Sequence, residues 1–340
     1  MSKNNEQFKP LSFDDDNELK PLSFDSEDLE PLTFDDKEDE LEPLPFKSDL
    51  NTNTESKSFD DEFVPIAKAN SNEIRNKDSN FVFFFGTAAS GKSVILSSML
   101  YYLSSYGGVL RPKIGTPNTK QAEVLMSDFF ENIRQGVLPS RTGRDFVTRL
   151  DLVFEPNNKS KKVVPVNLTF LESGGENHSE IRRGGQYHSS IDNYLNANIP
   201  LTFIVVTSYE NAHKEDTLIN EFFNLLERKG KSLKSVNIIL VISQWDKSGK
   251  MVVESIEELD SFINERLPMT SQRINNYALS RTYYTIGDVV VNGSEEKIRL
   301  LNLDTAEVLS KWLYESITGY SLDYEGTFWE RIKFSFVNNE

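Results

Sequence analysis

Residues 86–93 run Gly86-Thr87-Ala88-Ala89-Ser90-Gly91-Lys92-Ser93, the spacing G-x-x-x-x-G-K-S. Each residue type in this run has a use at a phosphate. The glycines let consecutive backbone N–H groups turn inward around a β-phosphate, Lys92 reaches the β- and γ-phosphates, and the Ser93 hydroxyl ligates Mg²⁺. The bland alternative is a glycine turn that only joins a strand to a helix. A second constellation is Leu171-Glu172-Ser173-Gly174-Gly175-Glu176. An acid followed three positions later by glycine suits a magnesium–water ligand, Glu172, and a backbone N–H, that of Gly175, offered to the γ-phosphate. Against this stands an acid that merely caps a loop.

Such groups act together only if strand ends converge on them. Residues 80–85 read as a buried strand and 94–103 as an apolar helix, the context a phosphate loop requires. Residues 145–155 alternate like a strand, 157–162 form a polar turn and 163–171 a second strand, so this pair is predicted to be a hairpin. Further strands are expected at 201–207, 236–242 and 282–286, with helices near 214–228, 255–267 and 304–317. Phe222, Phe223, Leu225 and Leu226 have helical spacing and are expected in the core. Strands alternating with helices through right-handed crossovers predict an α/β fold, a mostly parallel six-stranded sheet with helices on both faces. Ligands of such sheets lie at the carboxyl ends of strands, where these motifs fall.

With these motifs in this order, residues 80–318 resemble the small-GTPase-like (TRAFAC) class of P-loop GTPases. The family's Asp-x-x-Gly corresponds to Glu172 and Gly175, and Glu176 follows the glycine where the family places a residue that orients the attacking water. Residues 136–143 lie where the family has its first switch. There the resemblance implies Thr142 as Mg²⁺ ligand and γ-phosphate sensor, and Arg141 beside it as the finger that some members supply in cis. Ser243-Gln244-Trp245-Asp246-Lys247 stands in for Asn-Lys-x-Asp, with Gln244 and Asp246 at the base. A carboxylate at the Asp246 position accepts from N1–H and the exocyclic amine of guanine, whereas adenine has no donor pair at that edge.

The resemblance therefore implies GTP and Mg²⁺ as ligands, with Lys92 and the Gly175 amide stabilising the charge that develops in hydrolysis. Glu172 and Glu176 match the family in role but not in identity, and Ser243 and Gln244 replace the Asn and Lys. An ATP-dependent P-loop enzyme, and a scaffold that binds nucleotide with slow or absent hydrolysis, remain as alternatives. Thr285-Ile286-Gly287-Asp288 matches the last base-contacting loop by position. The stretch 107–135 is longer than in minimal GTPases, and here the chain looks like bacterial GTPase domains associated with conflict and signalling systems.

The N-terminal residues repeat themselves. Lys9-Pro10-Leu11-Ser12-Phe13-Asp14, Lys20-Pro21-Leu22-Ser23-Phe24-Asp25, Glu30-Pro31-Leu32-Thr33-Phe34-Asp35 and Glu42-Pro43-Leu44-Pro45-Phe46-Lys47 recur at spacings of 11, 10 and 12. The period is too short for a solenoid unit and the spacers are acidic, so residues 1–64 are expected to be a disordered tail. Proline pre-extends each copy, which makes a Leu-x-Phe hook suited to docking on a protein partner. The plainer alternative is an acidic solubilising tail. After a linker at 65–79, the GTPase-like domain is expected at 80–320 and a C-terminal extension at 321–340.

Charge follows this division. Residues 1–64 carry 20 acidic against 6 basic side chains, a net of −14, and the remaining 33 acidic and 31 basic side chains leave only −2 elsewhere. With no basic surplus in residues 65–340 taken together, nucleic-acid binding by bulk electrostatics is not expected, which leaves a local basic patch as the alternative. The longest apolar runs fall far short of the roughly 18 residues of a membrane-spanning helix, so no span is expected. A chain without cysteine, opening on Ser2-Lys3-Asn4-Asn5, shows no disulfide framework and no secretory signal, and a cytoplasmic protein is expected. His178, His188 and His213 are too scattered to predict a zinc site, and Arg182-Arg183-Gly184-Gly185 reads as a solvated loop or a phosphate contact.

Overall fold

The computed structural model describes residue 74 and residues 77–139, 147–158, 160, 162–175, 181, 189–292 and 295–324. The four Pro-Leu-x-Phe repeats lie outside the described residues.

The strand β1 (Asn80–Phe85) is apolar at all but its first position, which suits a strand covered on both faces. Phe81, Phe83 and Phe85 enter one hydrophobic core, and Val82 and Phe84 enter the other. It is followed by α1 (Lys92–Tyr102), β2 (Gly108–Pro112), α2 (Thr119–Gln135), β3 (Val147–Pro156) and β4 (Val166–Ser173). Next come α3 (Ser189–Asn196), β5 (Leu201–Ser208), α4 (Ala212–Arg228), β6 (Asn237–Ser243), α5 (Ile256–Arg266) and α6 (Pro268–Tyr277). The last described elements are β7 (Ser280–Tyr283), β8 (Gly287–Asn292), β9 (Glu295–Leu301) and α7 (Asp304–Thr318).

Seven of these strands form one sheet in the order β2-β3-β4-β1-β5-β6-β7. Strand β1 lies parallel between β4 and β5, and β5, β6 and β7 continue in parallel. The predicted hairpin is present as the antiparallel pair β3 and β4. The expected six strands are too few, because β2 adds an antiparallel edge beyond β3. It is five residues long, bounded by glycine and proline, and leaves Val109 exposed, so its composition reads as a turn rather than a strand.

Residues from α1, α2 and α7 pack on one face of the sheet, and residues from α3, α4, α5 and α6 on the other. Phe222 and Phe223 of α4 are buried as expected. The Phe222 ring stacks on Phe85 with centroids 4.0 Å apart and meets Phe203 edge-on at 5.5 Å. Such pairs contribute about 0.5–1.5 kcal/mol beyond their buried area, so α4 is fixed firmly against the end of β1. The helix expected near 255–267 ends on time, but Pro268 opens α6 directly after it. Proline is favoured at a first helical position, and the Asp216 carboxylate accepts from the N–H groups of Met269 and Thr270, both at 2.9 Å.

A separate hairpin, β8 and β9, was not anticipated. It closes on the end of α2, where Ile298 N donates to Gly136 O at 2.7 Å and Val137 bridges to Lys297. Beyond α7, Asn158 donates to the carbonyls of Leu322 and Tyr324, which ties residues 321–324 to the turn after β3. Among the described residues, no helix is long and apolar enough to cross a membrane.

Candidate functional site

The loop after β1 is shaped first by lack of room. At Gly86, with φ at +157°, a Cβ would stand 2.3 Å from the Val206 carbonyl of neighbouring β5, so no other residue fits without moving that strand. Ala89 and Gly91 then take left-handed conformations, φ 61° and 88°. Alternating backbone handedness turns successive N–H groups toward one side, the geometry of an anion-binding nest. Helix α1 starts at Lys92 with Gly91 as its cap, with no side-chain cap and no acid in its first turn. Its first N–H groups and the positive end of its dipole are thus not spent on a side chain.

Lys92 folds back over this loop. Its Nζ donates to the carbonyls of Gly86 at 3.0 Å and Thr87 at 2.8 Å, and the residue is only 6% exposed. Burial pushes its ammonium below the ordinary lysine range, while the charges of Glu172 and Glu215 oppose the fall. Next to it, the Ser93 hydroxyl donates to Glu172 Oε1 at 2.6 Å. Glu172 sits at the end of β4, opposite Phe84 of β1, and is 1% exposed. A hydroxyl and a carboxylate brought together are hard oxygen donors, which fits Mg²⁺, an ion held by one or two protein oxygens with phosphates and waters completing its octahedron. Among the described residues, no group of three or more His, Cys, Asp or Glu could hold a metal unaided.

Gly175 closes the loop from above. A Cβ there would lie 2.1 Å from Ala88 N and from the Thr87 carbonyl carbon, so its backbone rests directly on the loop.

The third strand end is that of β6. The Ser243 hydroxyl donates to Ser90 O at 2.6 Å, and Gln244 Nε2 donates to Ala89 O at 3.1 Å. The two residues that depart from Asn and Lys therefore both hold the phosphate loop. Gln244 does so with a left-handed backbone, φ 54°, which turns the chain sharply into the short helical turn Trp245–Ser248. Trp245 anchors that turn. It is 2% exposed and packed among Tyr209, Phe262 and Tyr283, so it is core and cannot stack on a base. Asp246 is half-buried, with Oδ1 lying 3.3 Å from the Thr285 hydroxyl, and its Oδ2 accepts no hydrogen bond among the described residues. Thr285, from the loop that matched only by position, thus orients the carboxylate expected to read the base.

The structure brings together Gly86, Thr87, Ala88, Ala89, Ser90, Gly91, Lys92, Ser93, Glu172 and Gly175, and places Gln244 against the same loop. Arg141, Thr142 and Glu176 lie outside the described residues, as do Arg182, Arg183, His178 and His188. One participant was missed. Glu215, in the first turn of α4, is 4% exposed and accepts a hydrogen bond from the Thr87 hydroxyl. An acid in a first helical turn complements the helix dipole and signals nothing more in a sequence.

No protein-family model matches this sequence, and no curated protein matches it. Among solved structures, the chain is similar to the signal recognition particle receptor SRb-GTP/SRX complex from Chaetomium thermophilum, at 13% identity and a TM-score of 0.38. That match covers 70% of this chain and 98% of the other. It is also similar to the GTPase-like domain of S. cerevisiae Ski7, bound to GDP and inorganic phosphate, at 13% identity and a TM-score of 0.33, over 61% of this chain and 42% of the other.

Proposed function

We propose that this chain is a Mg²⁺-dependent GTP-binding switch with hydrolytic activity, and that its N-terminal repeats dock a protein partner. One observation carries the nucleotide reading: three strand ends are tied around a single loop. Glu172 from β4 holds Ser93, and Ser243 and Gln244 from β6 hold Ser90 and Ala89. A turn that only joined a strand to a helix would need none of these ties. In the proposed complex, Lys92 exchanges the Gly86 and Thr87 carbonyls for phosphate oxygens, and the Gly175 N–H donates to the γ-phosphate. Ser93 and Glu172 would hold Mg²⁺, which would supply positive charge beside the phosphates. Asp246 accepts from the guanine edge. Thr142, Arg141 and Glu176 are assigned their switch and hydrolytic roles from sequence.

The domain plan proposed is a docking tail at 1–64, a linker at 65–79, the nucleotide domain at 80–320 and an extension at 321–340, in a cytoplasmic protein. The test is the identity of the nucleotide that copurifies with the full chain, followed by competition of GTP and ATP for a labelled nucleotide. ATP competing as well as GTP would favour the ATP-dependent alternative, and GTP bound without phosphate release would favour the scaffold. For the tail, changing Phe13, Phe24, Phe34 and Phe46 together to Ala should abolish partner capture at fixed net charge. A charge-neutralised tail that keeps every Phe should retain it, and the reverse result would leave only an electrostatic brush.

A further inference from the structure

Glu215 has no part in the scheme above, yet it is buried against the loop. Its carboxylate accepts from the Thr87 hydroxyl, and the carbonyl of the same Thr87 accepts from Lys92 Nζ at 2.8 Å. Thr87 is therefore bracketed by a buried acid and a buried base. The acid cannot drift away with its helix, because α4 is pinned at two positions that follow it. Phe222 stacks on Phe85, and the next residue, Asp216, accepts from the first N–H groups of α6.

The two carboxylates at the loop have different surroundings. Glu172 meets Ser93, whose hydroxyl stands at the ligating position of the G-x-x-x-x-G-K-S spacing. Glu215 meets Thr87 at the opposite arm of the loop, a position with no ligating role in that spacing. Taken with Lys92, the described charges in contact with the loop comprise one cation and two anions. A site built only to attract phosphate would not bury the second anion there.

We propose that Glu215 is a specificity-determining residue that sets how strongly the loop prefers a nucleoside triphosphate over a diphosphate, through a fixed negative charge on the loop's first turn. The proposal rests on the nucleotide reading of this loop. In a buried setting like charges repel strongly, and the γ-phosphate adds charge that the diphosphate lacks, so the carboxylate opposes the triphosphate more. In the nucleotide-free protein the same carboxylate stabilises buried Lys92. Removing its charge therefore has two effects of opposite sign, a less stable free protein and a tighter triphosphate complex. A residue that merely supported the fold would lose on both counts.

The experiment uses the full chain with Mg²⁺ and measures Kd for GTP and GDP by calorimetry, with Tm of the nucleotide-free protein alongside. Glu215→Gln keeps an acceptor for Thr87 and should tighten GTP about tenfold relative to GDP while lowering the free-protein Tm. Glu215→Asp retains the charge and should keep the wild-type GTP-to-GDP ratio. Thr87→Val removes the hydroxyl but not the charge and should do likewise. A Glu215→Gln protein of native circular dichroism with an unchanged ratio, or with both nucleotides weakened, overturns the proposal alone. A Thr87→Val ratio equal to that of Glu215→Gln overturns it too, because the hydrogen bond would then be the cause. Wild type that binds neither GTP nor ATP overturns the nucleotide reading itself.

Discussion

In the loop after β1 the backbone leaves no room, whereas around the end of β6 side chains do the holding. Gly86 lies against the Val206 carbonyl and Gly175 against the Thr87–Ala88 peptide, so neither position accepts a side chain without displacing main chain. Around β6 the contacts run from Ser243 and Gln244 side chains to loop carbonyls, and from Thr285 to Asp246. A half made by backbone contact tolerates almost no substitution. A half made by side chains tolerates any residue whose donor reaches the same carbonyl. This accounts for the match of residues 86–93 to the G-x-x-x-x-G-K-S spacing and for the freer choice of residues at 243 and 244, whose side chains tether the loop.

The largest effect expected is that of Lys92→Ala, which removes the one cation folded over the loop among the described residues. Nucleotide affinity should fall about a thousandfold with native circular dichroism, since losing a buried charged contact costs about 2–5 kcal/mol. Unchanged affinity in calorimetry would end the phosphate-loop assignment. Asp246→Asn should come next, turning selectivity from GTP toward xanthosine triphosphate by about a hundredfold, because donor and acceptor exchange at the base edge. Competition binding reads this, and equal GTP binding by both proteins would sink guanine readout by Asp246. Gly175→Ala forces a Cβ into the Thr87–Ala88 peptide. Overpacking of this kind costs about 2 kcal/mol, which corresponds to a Tm lower by about 4–8 °C in a domain of this size and affinity weakened about thirtyfold. Gln244→Ala, which loses one side-chain hydrogen bond of about 1 kcal/mol, should weaken binding only about fivefold. The contrast between the two halves collapses if Gln244→Ala proves as costly as Gly175→Ala.

The same contrast explains what could be seen in the sequence. The loop at residues 86–93 was legible between its strand and helix because the lack of room at Gly86 and the left-handed turn at Gly91 call for glycine at that spacing. The strands β1, β5 and β6 were legible because full burial gives each an unbroken apolar run, Phe81–Phe85, Phe203–Val206 and Ile238–Ile242. Gln244 follows β6 where a strand end was expected, but its hold on Ala89 was hidden, since a glutamine donor at a strand end can serve many acceptors. Trp245 was equally mute: the aromatic cluster of Tyr209, Phe262 and Tyr283 that buries it comes from three other segments. Strand β2 was lost because it is too short, and the hairpin β8–β9, although paired locally, was lost as part of the fold because its anchor is at Gly136 and Val137, far away in the chain. Glu215 was unreadable for the same cause, because its meaning depends on Thr87 in a different element.

The central position of β1 also dictates an order of assembly. Asn80 pairs with Leu168 of β4, and Phe81 with Leu201 of β5, so the most aromatic strand of the chain finds neither neighbour nearby in sequence. At about 5–20 residues per second of synthesis, roughly 6–24 s pass between the emergence of β1 and that of β5. Throughout that interval Phe81, Phe83, Phe84 and Phe85 belong to a nascent chain whose sheet cannot yet close. Helices α1 and α2 form from local contacts and are available at once to cover one side, but α4, which covers the other, is made after β5. The face that carries Glu215 therefore stays uncovered until α4 is made, and the opposite face, begun early by α1 and α2, is completed only by α7.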